Sequence, residues 1–268
     1  MDITAPILLE KPRELLNTFI EEYSVIHQID KDKALRHIKT GKTVQELKTK
    51  WYSYLDENNI DKAYSVYDDD YYFIDLWLCF KDQSRKYLRN LYKPTLKNND
   101  SFIQLTSDAK HIVDIGCGLG HTTIALSQMY PNAKVYGTNL KNTKQWKFCE
   151  KKAEQYNFQL LKSINDINTN VDIVFASEYF EHILKPIEHL EEIIDTLHPK
   201  YFIIANSFNR YSIGHFRTYY ITGLLNTEIA ENEKNINKIF NKRMVDLGYE
   251  KLKTKFFNDR PNIFYEGK

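Results

Sequence analysis

Between positions 113 and 120 the chain reads Val113-Asp114-Ile115-Gly116-Cys117-Gly118-Leu119-Gly120. Glycines at alternate positions behind an apolar run let the main chain turn sharply and approach a ligand with no side chain in the way. The helix expected straight afterwards offers unpaired backbone N–H groups at the same place. A dinucleotide loop has the spacing G-x-G-x-x-G and seats a pyrophosphate on the helix N-terminus. Counted from Gly116, its third glycine would stand where His121 is, whereas Gly120 comes one residue early. Asp114 also sits poorly beside a pyrophosphate and suits a ligand with a positive amino group. Neither feature fits a nicotinamide dinucleotide.

The run D-x-G-x-G-x-G after an apolar strand resembles the first motif of class I S-adenosylmethionine-dependent methyltransferases. Asp114, Gly116, Gly118 and Gly120 match it position by position. The resemblance implies that Asp114 orients the loop and the methionine end of the cofactor, and that the glycines, with Cys117 among them, make room for its aminoacyl portion. At the end of strand two that family usually has a carboxylate for both ribose hydroxyls; here the place falls on Asn139, followed by Leu140. Asn both donates and accepts but lacks the charge that makes a hydrogen bond about twice as strong. On this reading Asn139→Asp tightens cofactor binding. For the adenine pocket after strand three, Ser163 and Ile164 are the preferred pair, with Asp166 as the alternative acid. The stretch Ala176 to Ile183 resembles the small-molecule branch, the ubiquinone-pathway O-methyltransferases and relatives, where a Glu-His pair begins the next helix. Pro186 with the amphipathic helix behind it, and Gly248-Tyr249, match the same branch. The likeness runs from His111 to about Glu266.

Methyl transfer is an in-line displacement, so alignment matters most and a base is needed only for a protonated nucleophile. Glu178, Glu181 and His182 are the candidates, Glu178 also for cofactor contact; a helix-start histidine that merely orients a loop is the plainer role for His182. Amino-directed DNA methyltransferases need N/D-P-P-Y/F after strand four, where this chain has Ser177-Glu178-Tyr179-Phe180. Cytosine C5 enzymes need a Pro-Cys dipeptide, which is absent.

The elements that must position these groups fall into two parts. Residues 1–107 read as helical, a substrate cap or lid: a stripe of Leu15, Leu16, Phe19, Ile20 and Tyr23 after Pro12, a second helix over Thr43 to Leu55 with Thr43 and Glu46 as a capping box, and a third over Phe73 to Tyr92. Lys97 to Lys110 reads as a loop. Residues 108–268 alternate short apolar runs with helical patterns, as βα units require. Strands are expected at 111–115, 134–137, 158–161, 171–176 and 201–205, and an antiparallel edge at 250–257 and 262–266. The fold class is α/β: a doubly wound, mostly parallel seven-stranded sheet, Rossmann-like as the resemblance implies, with an N-terminal helical addition. Phe208 to about Asn241 is longer than a simple connection. Its His215, Phe216, Arg217, Tyr219 and Tyr220, with Tyr71, Tyr72, Trp77 and Arg85 of the N-terminal part, are candidate substrate contacts.

Lys+Arg at 37 and Asp+Glu at 36 nearly cancel, which argues against a nucleic-acid footprint while leaving room for a local basic patch. Met1 to Leu9 has no signal-peptide pattern, and the richest apolar window, Tyr71 to Phe80, is broken by Asp75, so no membrane segment is expected. Cys79, Cys117 and Cys149 form no paired motif, suiting a reducing cytoplasm and giving no metal framework. The sequence therefore points to an S-adenosylmethionine-dependent methyltransferase of a small-molecule oxygen or nitrogen. Competing readings are an RNA or protein methyltransferase, and a non-catalytic protein that keeps the fold, which Asn139 leaves open. No feature specifies the oligomeric state.

Overall fold

The computed structural model describes residues 6, 9, 12–40, 42–96, 99–223, 227–256 and 260–267, with the side chains of 12, 13 and 43 left aside. The expected Thr43–Glu46 capping box therefore lies outside the described atoms. The N-terminal part is helical: α1 (Pro12–His27), α2 (Lys31–Thr40), α3 (Lys42–Asp56) and a short α4 (Ile60–Tyr64). After these, α5 (Tyr72–Cys79) passes through a wider π turn, Phe80–Ser84, into α6 (Arg85–Leu91). The apolar stripe of α1 is buried against Phe73, Ile74 and Trp77 of α5, with Phe19 and Trp77 stacked at 4.8 Å. The stretch 97–110, expected as a loop, contains one turn of helix, α7 (Phe102–Leu105). A reciprocal capping box starts it: Ser101 Oγ accepts from Gln104 N while Gln104 Oε1 accepts from Ser101 N. Polar composition hid that Ser-x-x-Gln signal.

The second part runs β1 (His111–Asp114), α8 (His121–Met129), β2 (Lys134–Thr138), α9 (Lys144–Tyr156), β3 (Gln159–Leu161), β4 (Ile173–Ser177), α10 (Pro186–Leu197), β5 (Tyr201–Ala205), β6 (Thr218–Thr222), β7 (Glu228–Asn232), α11 (Glu233–Asp246), β8 (Tyr249–Lys251) and β9 (Asn262–Glu266). Seven strands form one sheet in the order β3-β2-β1-β4-β5-β9-β8. The first five are parallel, and β9 is antiparallel to both β5 and β8. Of the edge strand expected over 250–257, the described residues form a strand at 249–251, with Leu252 N adding one more bond to the Ile263 carbonyl. The long connection after β5 carries a separate antiparallel hairpin, β6–β7, which the sequence reading did not foresee.

Alternate residues of each strand feed opposite faces. Val113, Val174 and Phe202 join a core with α10, Trp51 and Tyr67; Ile112, Ile173 and Ile203 join another with Ile124 and Leu126 of α8. Chain order reverses between β1 and β4, which opens a crevice at the carboxyl ends of those strands. The N-terminal helices are tied across to the post-β5 segment beside it. Trp51 Nε1 donates to the His215 carbonyl at 2.9 Å, and the Tyr52 hydroxyl to the Ser212 carbonyl at 3.1 Å. Among the described residues no helix is long and apolar enough to cross a membrane.

Candidate active site

The bend between β1 and α8 has Gly116, Gly118 and Gly120 at φ +69°, +52° and +79°. These left-handed values favour glycine, and space demands it too. A Cβ on Gly116 would lie 2.3 Å from the Tyr179 ring, one on Gly118 3.2 Å from Leu76, and one on Gly120 2.9 Å from Cys149 Sγ. The end of β2 fastens the bend: Gly116 N donates to Thr138 Oγ1 at 3.2 Å and Cys117 N to the Thr138 carbonyl at 2.9 Å. Asn139 completes the clamp, its Nδ2 donating to the Gly118 carbonyl at 2.7 Å while its Oδ1 accepts from Leu140 N. Asp114 is buried, and its Oδ2 accepts from the hydroxyls of Thr122 and Thr123 at 2.5 and 2.6 Å. Burial pushes this carboxyl up to about 7. Asp114 braces the first turn of α8 through those two hydroxyls, and an acid beside that turn leaves little welcome for a pyrophosphate.

The bend opens on a cavity of about 900 Å³. Gly116, Gly118, Asn139, Leu140, Ser163 and Ile164 line one wall. Facing them are Tyr72, Asp75, Leu76 and Cys79, whose spacing of three, one and three puts them on a single face of α5. Glu178, Tyr179 and His182 follow from the turn after β4, and Arg210, Tyr211 and His215 from the segment after β5. Six stretches far apart in sequence thus meet at one cavity.

Other expected contacts stand elsewhere. Asp114, Cys117, Gly120 and Glu181 lie behind the wall, and Asp166 does not reach it. Tyr71 packs its ring against His37 at 5.1 Å. Arg217 is a surface group paired with Asp56 at 2.6 Å and laid over the Tyr52 ring. Tyr219 is fully buried on β6, its hydroxyl donating to the Glu181 carbonyl at 3.1 Å. Trp77 is core, and Arg85 donates to the Leu9 carbonyl. For Tyr219 and Trp77 burial claimed the aromatic ring first, as it does for most large apolar surfaces.

The turn after β4 is strained: Glu178 adopts φ +51°, uncommon for a residue with a side chain. Tyr87 donates to its Oε1 at 3.1 Å and Arg260 lies 3.9 Å away. Glu181 is wholly buried beside it, accepting from Ser207 N at 2.8 Å. Burial and the Glu178 charge push its carboxyl well up from the ordinary glutamate range. His182 takes Tyr67 Oη on its Nδ1 at 2.9 Å and lies edge-on to His215 at 4.9 Å. Burial and the His215 neighbour hold it well below the ordinary histidine range, and burial brings His215 to about 4. Both rings are neutral and hold a proton poorly.

Sequence reasoning passed over Asp75, Arg210, Tyr64 and Tyr67, all on the cavity wall. For Asp75 a signal existed. An acid stands alone in the apolar helix Tyr72–Cys79, on the face shared by Tyr72, Leu76 and Cys79. In the sequence alone it reads as the break in a hydrophobic window.

Among the described residues no group of three His, Cys, Asp or Glu side chains could hold a metal ion. A nucleoside with an aminoacyl arm fits the wall described: the glycine cradle admits no Cβ, Asn139 Oδ1 keeps one lone pair, and Ser163 and Ile164 stand beyond it. Residues 106–257, more than half of the chain, match the model of a methyltransferase-domain family. The chain belongs to that family. It is a methyltransferase, and its cofactor is S-adenosylmethionine.

No curated protein matches the methyltransferase sequence. Solved structures similar to it include an S-adenosylmethionine-dependent methyltransferase from Clostridium acetobutylicum, at 14% identity over 62% of this chain and 89% of that one, TM-score 0.42. The plantazolicin methyltransferase BpumL, solved with a monoazolic desmethylPZN analog and SAH, is 19% identical over 62% of this chain and 61% of that one, TM-score 0.39. A methyltransferase from Pyrococcus furiosus is 19% identical over 59% and 76%, TM-score 0.39.

Proposed function

We propose that this methyltransferase acts on an oxygen or nitrogen of a small-molecule metabolite, with residues 1–107 as the cap over the acceptor and 108–268 as the cofactor-binding domain. The observation that carries the reading is the cavity of about 900 Å³ shared by the glycine bend, the α5 face and the segment after β5. That is the size range of small-ligand sites, and one pocket this size takes a nucleoside and a compact acceptor together. The balanced charge of the chain favours the same reading over an RNA substrate.

When bound, the cofactor supplies an electrophilic methyl group on a sulfonium. The chain's own groups divide the remaining work. Gly116 and Gly118 seat the aminoacyl arm, Asn139 and Leu140 the ribose, and Ser163 and Ile164 the base. Tyr179 and Leu76 press on the bend from above. Glu178 faces the cavity from a turn that Tyr87 and Arg260 hold, while buried Glu181 supports that turn from behind through Ser207. His182, tied to Tyr67, positions the inner wall. The test uses S-adenosylmethionine labelled on the methyl group, incubated with the protein and a cell extract split by size. Label in the fraction below about 1 kDa is expected; label confined to RNA or protein overturns the reading.

A further inference from the structure

One carboxylate on the inner wall is answered by no side chain. Asp75 stands on the cavity face of α5 between Tyr72 and Leu76, and among the described residues it makes neither a hydrogen bond nor an ion pair. The cation that acts on it, Arg210, is exposed at the mouth. Half-buried and faced only by that cation, the carboxyl is poorly compensated, and burial lifts it to about 6. The rings around it form a chain: Tyr64 to Tyr67 at 5.8 Å and Tyr67 to Tyr72 at 4.8 Å between centroids. Glu178 brings a second acid to the wall, its side chain only 4% exposed. His182 and His215, both neutral, bring no opposing charge. His215 Nδ1 is buried and has no hydrogen-bond partner among the described residues. The chamber is anionic and aromatic at depth.

Resting on the small-molecule reading above, we propose that the methyl acceptor is a cationic amine whose ammonium sits on the Asp75 carboxylate against the tyrosine rings. An ammonium supplies the missing charge and several N–H donors together, and aromatic faces attract it. An alcohol supplies one donor and no charge. A carboxylate is repelled. To become a nucleophile the ammonium must give up one proton, and Asp75 is placed to take it: R–NH3+ and –COO− become R–NH2 and –COOH. Low local polarity favours that neutral pair over the ion pair more than water does. Asp75 is thereby a catalytic residue, and His182 a positioning residue that holds Tyr67 beside it.

The rival occupant of Asp75 is the cofactor's own ammonium, since Leu76, the next residue, touches Gly118. Calorimetry on the whole chain separates them. S-adenosylhomocysteine is titrated first, and then 2-phenylethylamine, 2-phenylethanol or 3-phenylpropionate into the saturated protein, for wild type and Asp75→Asn. The amine should bind at least tenfold tighter than the alcohol, with the acid weakest. In Asp75→Asn the amine should fall to the level of the alcohol while S-adenosylhomocysteine stays within twofold of wild type, which also shows that the variant is folded. An alcohol or acid as tight as the amine, or a silent amine, overturns the proposal. So does a loss of S-adenosylhomocysteine in step with the amine, which would give Asp75 to the cofactor. No heat from S-adenosylhomocysteine in wild type would bring down the cofactor site itself, and this proposal with it.

Discussion

The two walls of the cavity are made in opposite ways. The wall we assign to the cofactor is mostly main chain: a bend of a few consecutive residues, pinned by Thr138 and Asn139 and shaped by what its glycines lack. The opposite wall is mostly side chains, gathered from α5, the turn after β4 and the segment after β5. They are held by single contacts such as Tyr67 on His182 and Trp51 on the His215 carbonyl. A wall of backbone tolerates no added atom, while a wall of side chains can be retuned one residue at a time. On the proposed reading, recognition of a shared cofactor belongs on the first, and choice of acceptor on the second.

Gly116→Ala tests the first half of that contrast and should have the largest effect. Its Cβ would lie 2.3 Å from Tyr179, whose hydroxyl is anchored on His189 Nε2 at 2.9 Å, so the ring cannot yield cheaply. Strain at positive φ and overpacking together should destabilise by about 2–4 kcal/mol and weaken S-adenosylhomocysteine on the order of 100-fold. Thermal melts and calorimetry read both. Gly214→Ala is the counterpart on the acceptor wall. At φ +79° its Cβ would stand 2.2 Å from His182 Nδ1 and 2.3 Å from Tyr67 Oη, breaking the bond between them. A loss of about 1–3 kcal/mol is expected. Methyl transfer should drop about tenfold or more while cofactor affinity moves by less than about threefold. Equal damage to cofactor binding by both variants would erase the distinction between the walls.

The same contrast explains what could be read beforehand. The glycine bend was legible because its chemistry is local: strand, acid and alternate glycines follow one another, and the βα periodicity around them set the order of strands. Asn139 and Leu140 could be located by counting to the end of the next strand. Asp75 and Arg210 could not be brought together this way. They are 135 positions apart, and only the packing of α5 over the sheet makes them neighbours of one cavity. The sheet was easier than the insert after β5 for a related reason. Apolar β-branched runs announce buried strands, whereas the hairpin β6–β7 is largely exposed and mixes Thr, Glu and Asn with its apolar residues.

Asn139 sharpens the comparison from the cofactor side with a smaller effect. Its lack of charge led to the expectation that Asp would bind the cofactor more tightly. The geometry reverses this. Nδ2 donates to the Gly118 carbonyl, and a carboxylate there would turn a hydrogen bond into a repulsion within the bend. Asn139→Asp should therefore weaken S-adenosylhomocysteine by roughly 1 kcal/mol, about fivefold, in calorimetry. Tighter binding would mean that the bend re-forms without its clamp and that the wall is less rigid than its contacts suggest.

The acceptor wall yields the smallest effect, through stability. Asp75 has a folded pKa of about 6 against 3.8 unfolded. Its folded carboxyl holds a proton that the unfolded chain releases. Its contribution to stability is full below pH 4 and is lost as the pH rises through 6. Asp75→Asn has no such loss, so its melting temperature should match wild type near pH 3 and exceed it by about 4 °C at pH 7.5. That figure is roughly 1–2 kcal/mol once partial solvent access is allowed for. Asp114 titrates in the same direction in both proteins and cancels from the difference. Adding 2-phenylethylamine at pH 7.5 should close the gap by raising wild type alone, because the amine supplies the counter-charge that Asp75 lacks. A gap that ignores pH would show that Asp75 is already neutralised within the wall and has nothing left to offer an acceptor.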